Sequence, residues 1–259
     1  MHPKKTDRNT NSTLSKAMNI LGAIVDQPQS VGVPDLADRL GMSRQSLHRL
    51  LAQLEAEGLI IKMPNRERYA IGERFSKLAL DTMCSANKGI PLRAVLQTLV
   101  EEIGEGCNLG VISGQDFVYL ERVEAIRTPR IYLETGTRIP AHCTSGGKAM
   151  LAFLPDPVRA RLIKTMTLQP FTNNTITSRK EFAMEIVNIR ERGFAVAVQE
   201  FADGIIGVGV PVLGSDGEAL ASLAMHAPMA RLPVENAPDV AGKLQVAARN
   251  IAEIWDVAD

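Results

Sequence analysis

The 259-residue sequence predicts an α+β chain: an N-terminal winged helix-turn-helix, then a larger domain whose mostly antiparallel sheet is flanked by helices. Three observations lead there. A glycine turn at Gly41 separates two short amphipathic segments. Leu47, Leu50, Leu51 and Leu54 stripe the second of these at i, i+3, i+4 and i+7. From Cys107 onward the hydrophobic period switches to two, with hairpin turns between the runs.

Composition narrows the class. Apolar residues make up 45% and charged residues 22%, which suits a globular protein and is too apolar for a disordered one. No stretch approaches the ~18 uninterrupted apolar residues of a membrane span, so no membrane partner is expected. Residues 1–11 are polar and carry Lys4, Lys5 and Arg8, which reads as a disordered basic tail and not as a signal peptide. Cys84, Cys107 and Cys143 are scattered and odd in number, against a disulfide framework or a zinc knuckle and in keeping with a reducing cytoplasm. Net charge is zero, but residues 1–75 hold 11 Lys/Arg against 8 Asp/Glu, and the remainder 18 against 21. That sign suits a nucleic-acid-facing N-terminal part on a neutral or acidic body.

The first helix is expected over Leu14 to Val25, with Leu14, Ala17, Met18, Leu21, Ile24 and Val25 on its inner face and Ser12 or Thr13 as cap. A second runs from about Pro34 to Leu40, and Gly41 makes a left-handed turn. Ser43 then caps a third helix that runs to about Glu57. Opposite its leucine stripe lie Gln45, Arg49 and Ala52, flanked by Ser46 and His48, with Arg44 at the leading end. Short or fork-shaped hydrogen-bonding side chains on an exposed helix suit base edges and phosphates. Strands at Leu59–Ile61 and Arg68–Ile71, around a turn at Pro64-Asn65-Arg66, form a wing with cations at Lys62, Arg66 and Arg68. Together these form a DNA-binding unit over 12–72, with Ser43, Arg44, Gln45, Ser46, His48, Arg49, Lys62, Arg66 and Arg68 as contacts. Such tri-helical units also bind proteins, so a small-molecule-binding signalling protein whose winged helix makes protein contacts is the alternative.

Residues 73–88 read as a linker helix, and residues 89–259 as an effector-binding and oligomerisation domain. In that domain a helix over Pro91–Ile103 precedes strands at Cys107–Ser113, Phe117–Val123 and Arg130–Leu133. A helix between Thr144 and Leu154 follows, then a capping box at Ser178–Glu181 that opens a helix ending at Gly193. Strands Phe194–Phe201, Ile205–Leu213 and Glu218–His226 lead to a last helix over Pro238–Trp255.

Two places offer chemistry. Ala141-His142-Cys143-Thr144-Ser145-Gly146-Gly147-Lys148 lacks the P-loop pattern, since His142 and Ala149 stand where glycine and a hydroxyl residue are required. What remains is a small-residue helix start whose free N–H groups favour an anion, or whose Thr144 or Ser145 is simply a cap. Along Ile205–Leu213, alternation puts Ile206, Val208, Val210 and Val212 on one face, and Ile205, Gly207, Gly209 and Pro211 on the other, where the glycines leave empty volume or mark close approach of a ligand or another backbone. Ala224 and His226 of the next strand add to it, although a structural histidine is the commoner case. Catalysis has little support: there is no HExxH, GxSxG or SxxK, and His142 and Cys143 are neighbours that point to opposite faces. No catalytic residue, cofactor or metal site is expected.

Several stretches carry a family resemblance: Leu36-Ala37-Asp38-Arg39-Leu40-Gly41, Leu47-His48-Arg49-Leu50-Leu51-Ala52-Gln53-Leu54-Glu55, Val118-Tyr119-Leu120-Glu121-Arg122-Val123-Glu124, Gly136-Thr137-Arg138-Ile139-Pro140, Gly147-Lys148-Ala149-Met150-Leu151-Ala152 and Arg190-Glu191-Arg192-Gly193-Phe194. In this order the chain resembles IclR-type bacterial transcriptional regulators from about Leu14 to Trp255. The resemblance implies a double-stranded DNA operator with palindromic half-sites and a GAF-like effector domain. It further implies a homodimer or homotetramer (a dimer of dimers), and control, more often repression, of a catabolic operon by a small organic acid. It places the effector site at Thr128 and Ile131 on one wall, at Ser145 and Gly146 on the helix start, and at Ala197, Gly207, Ala224 and His226 opposite. Relatives that bind very small keto acids carry an Asp, a Cys and two Ser at the last four positions. Three polar anchors are thus small and apolar here, which points to a larger or less polar carboxylate with its tail in the Gly207/Ala224 hollow.

Overall fold

The computed structural model describes residues 12–27, 30–64, 67–86, 90–125 and 134–256. The chain divides into two compact units, one reaching Leu80 and the other starting at Asp81, so the boundary falls inside the helix expected as a linker. The basic tail, Arg66, the strand expected at Arg130–Leu133, Thr128 and Ile131 lie outside the described residues.

The first unit contains α1 (Thr13–Val25), β1 (Val31–Gly32), α2 (Val33–Leu40), α3 (Arg44–Ala56), β2 (Ile60–Lys62), β3 (Arg68–Ile71) and the start of α4 (Glu73–Ala86). Its local signals are those the sequence carries. Ser12 and Ser43 accept from the backbone N–H groups of Ser15 and Ser46, capping α1 and α3. Gly41 closes α2 at φ 60°, where a side chain would be strained. Leu47, Leu50, Leu51 and Leu54 are buried with Leu36, Ile60 and Tyr69. The wing is a three-stranded sheet, because β3 pairs with β2 on one edge and with the unforeseen β1 on the other.

α1 sits in a different rotation from the one expected. Ile20, Leu21, Ala23 and Ile24 are buried, whereas Leu14, Met18 and Val25 are 73%, 56% and 55% exposed. The helix is apolar around most of its circumference, so its periodicity does not select one face.

The second unit is built on a six-stranded antiparallel sheet of order β6-β5-β4-β9-β8-β7. Its strands are β4 (Cys107–Ser113), β5 (Asp116–Val123), β6 (Arg138–Pro140), β7 (Ala195–Val198), β8 (Ile205–Leu213) and β9 (Ala219–Pro228). Helices α5 (Ile90–Ile103) and α9 (Ala237–Asp256) contact each other and cover one face, while α6 (Ser145–Phe153) lies on the other, with α8 (Arg179–Arg192) packed against α6 and α7 (Asp156–Thr165) beside them. Ile206, Val208, Val210 and Val212 are fully buried, as the alternation of β8 requires. α8 has its Ser178 cap and ends on Gly193 at φ 83°.

Candidate functional site

In the first unit Arg44, Gln45, Ser46, His48 and Arg49 are all exposed, on the side of α3 opposite its buried leucines. Ser43 is exposed too, but its hydroxyl is engaged as the helix cap. Lys62 is exposed on the wing. Arg68 is half-buried on the wing, and its Nε donates to the carbonyl and hydroxyl of Ser30 at 2.9 and 3.1 Å. That guanidinium ties β3 to the segment before β1. A polar surface of this form, on a helix held by a leucine core, fits a major groove.

The second unit contains a cavity of about 60 Å³, lined on one side by Ser145 and Gly146 and on the other by Ala197, Gly207, Ala224 and His226. The register brings these together: Ala197 pairs with Gly207, Gly207 with His226, and Gly209 with Ala224. On the glycine face of β8 the close approach is that of another backbone, although Gly207 also lines the cavity. A side-chain carbon on Gly207 would lie 2.7 Å from Ser145 Oγ, and one on Gly209 would lie 2.6 Å from the Ser145 carbonyl oxygen. The missing side chains seat the start of α6 against the sheet. Gly146 serves the same packing from the helix side, where a carbon would lie 2.7 Å from the Phe117 ring.

The α6 N-terminus has no side-chain cap; Thr144 at the cap position sends its hydroxyl back to the Pro140 carbonyl at 2.9 Å. The first turn of α6 and the positive end of its dipole are thereby left without a side-chain cap, and Ser145 and Gly146 of that turn line the cavity. Lys148 does not reach that anion position. Its Nζ lies 2.5 Å from Glu200 Oε1 and 2.9 Å from the Val196 carbonyl, buried under the helix. Gln199, at φ 55°, turns the chain so that Glu200 lines the cavity beside this ammonium. Burial pushes the Glu200 carboxyl up, against the lowering charge and hydrogen bond of Lys148.

His226 accepts a hydrogen bond at Nε2 from Arg122 Nη2 at 3.0 Å, since a guanidinium can only donate. Arg122 is itself paired with Glu124 and lies over the Tyr119 ring. Burial, then the adjacent Arg122 charge, pushes the imidazole down to about 3, so it is neutral with its proton on Nδ1. Sequence reasoning missed Asn108, Tyr119, Thr144 and Glu200 in the lining, and Arg122 behind His226. They add a few polar groups to a lining that also includes Phe117, Ile139, Phe201, Ile205 and Met225, so the cavity is mainly apolar. Cys143 is fully buried, with its thiol pushed up to about 12, chiefly by desolvation. His142 is committed to the Gln169 carbonyl at 3.0 Å. These two form no nucleophile–base pair.

Comparison with known proteins decides the family. Residues 13–62 match the IclR helix-turn-helix domain, and residues 90–253 match the family described as bacterial transcriptional regulator IclR C-terminal. The chain belongs to the IclR family. Its relatives include "Probable transcriptional regulator SauR" of Cupriavidus necator, 34% identical over 246 residues, which are 95% of this chain and 98% of that protein. Among solved structures, Thermotoga maritima IclR is 27% identical with a TM-score of 0.60, over 93% of this chain and 97% of that one. An IclR homolog of Microbacterium hydrocarbonoxydans, solved in complex with 4-hydroxybenzoate, shares the fold at 20% identity and a TM-score of 0.56, over 93% and 98% of the two chains. This IclR-family chain is therefore a transcriptional regulator with a DNA-binding helix-turn-helix and a C-terminal effector domain. Among the described residues no helix is long and apolar enough to cross a membrane.

Proposed function

We propose that the protein is a ligand-responsive repressor that binds a palindromic double-stranded DNA operator as a dimer or a dimer of dimers, and releases it on binding a small organic acid. The single observation behind the DNA contact is the exposed polar face of α3 opposite a fully buried leucine stripe. Pairing of two copies is supported by Leu14 and Met18, which stand exposed on α1 of the same unit. The uncapped start of α6 beside the cavity supports an acid as effector, and the 4-hydroxybenzoate held by the Microbacterium homolog is also a carboxylate. Acid in the cavity favours one arrangement of the effector domains. The spacing of the two α3 helices then shifts through α4, by as much as the acid's affinity differs between the arrangements.

Selection of bound genomic fragments with the purified protein tests this reading. An inverted repeat whose complex weakens on adding the operon's acidic substrate supports it. Failure to retain any duplex at low salt would favour a winged helix that contacts protein.

A further inference from the structure

A second cavity lies in the first unit, beside the exposed polar face of α3. It is a cleft of about 290 Å³ between α1 and the turn that leads into α3, with Lys16 and Asn19 on one side and Met42, Ser43 and Ser46 on the other. None of the residues that line it is acidic. Lys16 is half-buried and Asn19 exposed, three residues apart and so on one side of α1. The ion pairs of this unit among the described residues, Arg39 with Asp26 and Arg74 with Glu57, do not use Lys16. Ser43 Oγ accepts from the Ser46 N–H and donates its own proton to Ser46 Oγ at 3.1 Å. The Ser46 hydroxyl therefore keeps a proton to give.

The exposed apolar residues of α1 do not obstruct this cleft. At 3.6 residues per turn, Leu14 and Met18 stand roughly 150° around the helix from Lys16 and Asn19. A second copy seated on Leu14 and Met18 would leave the cleft open.

Resting on duplex binding by this unit, we propose that the cleft seats one phosphate of the DNA backbone, held by the Lys16 ammonium, the Ser46 hydroxyl and the Asn19 carboxamide. A phosphodiester carries one negative charge on oxygens that only accept, which matches a cleft offering a cation and two neutral donors with no carboxylate among them. Ser46 belongs to the first turn of α3, between Gln45 and Arg49, so a phosphate against it borders the groove that α3 enters. Contacts of this kind fix the register and orientation of a recognition helix and carry no sequence information. Lys16 and Asn19 thus add α1 to the DNA contacts made by α3 and the wing.

Binding of the full-length protein to a fluorescent duplex of random sequence, measured between about 50 and 200 mM KCl, tests the proposal. Losing one phosphate contact lowers the slope of log affinity against log salt by about 0.9 for each copy bound. Lys16→Ala should bind more weakly than wild type, with a deficit that grows toward low salt by about 3.5-fold per copy over that range. Lys16→Arg keeps the cation and should restore the slope. Asn19→Asp, nearly equal in volume, sets a carboxylate beside the phosphate and should weaken binding to every duplex, most at low salt. Using both positions keeps the test decisive if one variant misfolds. Affinity and slope unchanged in folded Lys16→Ala and Asn19→Asp would overturn the proposal, and because wild type still holds the duplex they would leave the DNA-binding reading standing. A loss on the selected operator with none on the random duplex would overturn it too, by making these residues base contacts. Failure of wild type to hold either duplex would overturn the DNA-binding reading, and the phosphate seat with it.

Discussion

A side-chain carbon on Gly207 would stand 2.7 Å from Ser145 Oγ, so β8 and α6 meet through a volume that only one of the two residues can fill. The helix start that faces the cavity is held by that contact. Gly207→Ala must push Ser145 away or bend β8, an overpacking that costs about 1–3 kcal/mol. Urea unfolding should show that loss, and calorimetry a weaker acid affinity, while duplex binding by the unliganded protein is retained. Unchanged stability and acid affinity would show that the contact does not matter.

Lys148 and Glu200 form a buried pair whose members depend on each other. Lys148→Met leaves the Glu200 carboxylate buried without its cation and should destabilise the protein by about 3–5 kcal/mol. The double variant Lys148→Met/Glu200→Leu should recover most of that loss, because the desolvation cost leaves with the second charge. Urea melts of the three proteins check this, and an undiminished loss in the double variant would contradict it.

His226 makes stability acid-sensitive. Its folded value near 3 lies below the unfolded 6.5, so between those limits the unfolded chain binds more protons and stability falls as pH falls. At a full slope of ~1.4 kcal/mol per pH unit, the decline between pH 6.5 and 5 is about 2 kcal/mol. His226→Gln, which still offers Arg122 an acceptor, should remove that decline. Equal pH dependence in wild type and variant, measured by urea unfolding at pH 5 and 7, would contradict it.

The parts legible in the sequence are those set by local rules. Ser43, Gly41, Ser178 and Gly193 act within a turn of where they stand, and the helices they bound are where those residues imply. Long-range pairings were not legible. β1 is two residues long and exists through its pairing with β3, which also occupies Arg68. α7 has no fully buried residue; only Leu162 and Ile163 pack, half-buried, against the core, too short a pattern to mark a helix in the sequence. Within the site, Ser145, Gly146, Ala197, Gly207, Ala224 and His226 do come together. Asn108 reads as one polar residue in an ordinary strand until the register sets it beside Ala224. Glu200 follows a strand and reaches the cavity through the left-handed turn at Gln199.

On α3 and the wing, two cations should behave differently. If Lys62 meets phosphate, Lys62→Ala weakens binding about equally on every duplex and lowers the salt slope by about one. Competition titrations across salt concentrations check this, and a sequence-dependent loss would move Lys62 into base readout.

The central claim, that the exposed face of α3 reads bases, is tested most directly by measuring Arg49→Ala on the selected operator and on single-base variants of each half-site. The expected result is a loss of about 1–3 kcal/mol on the operator and relaxed discrimination at one symmetric position per half-site. Unchanged affinity and unchanged discrimination at every position, for Arg49→Ala and likewise for Gln45→Ala, would contradict it.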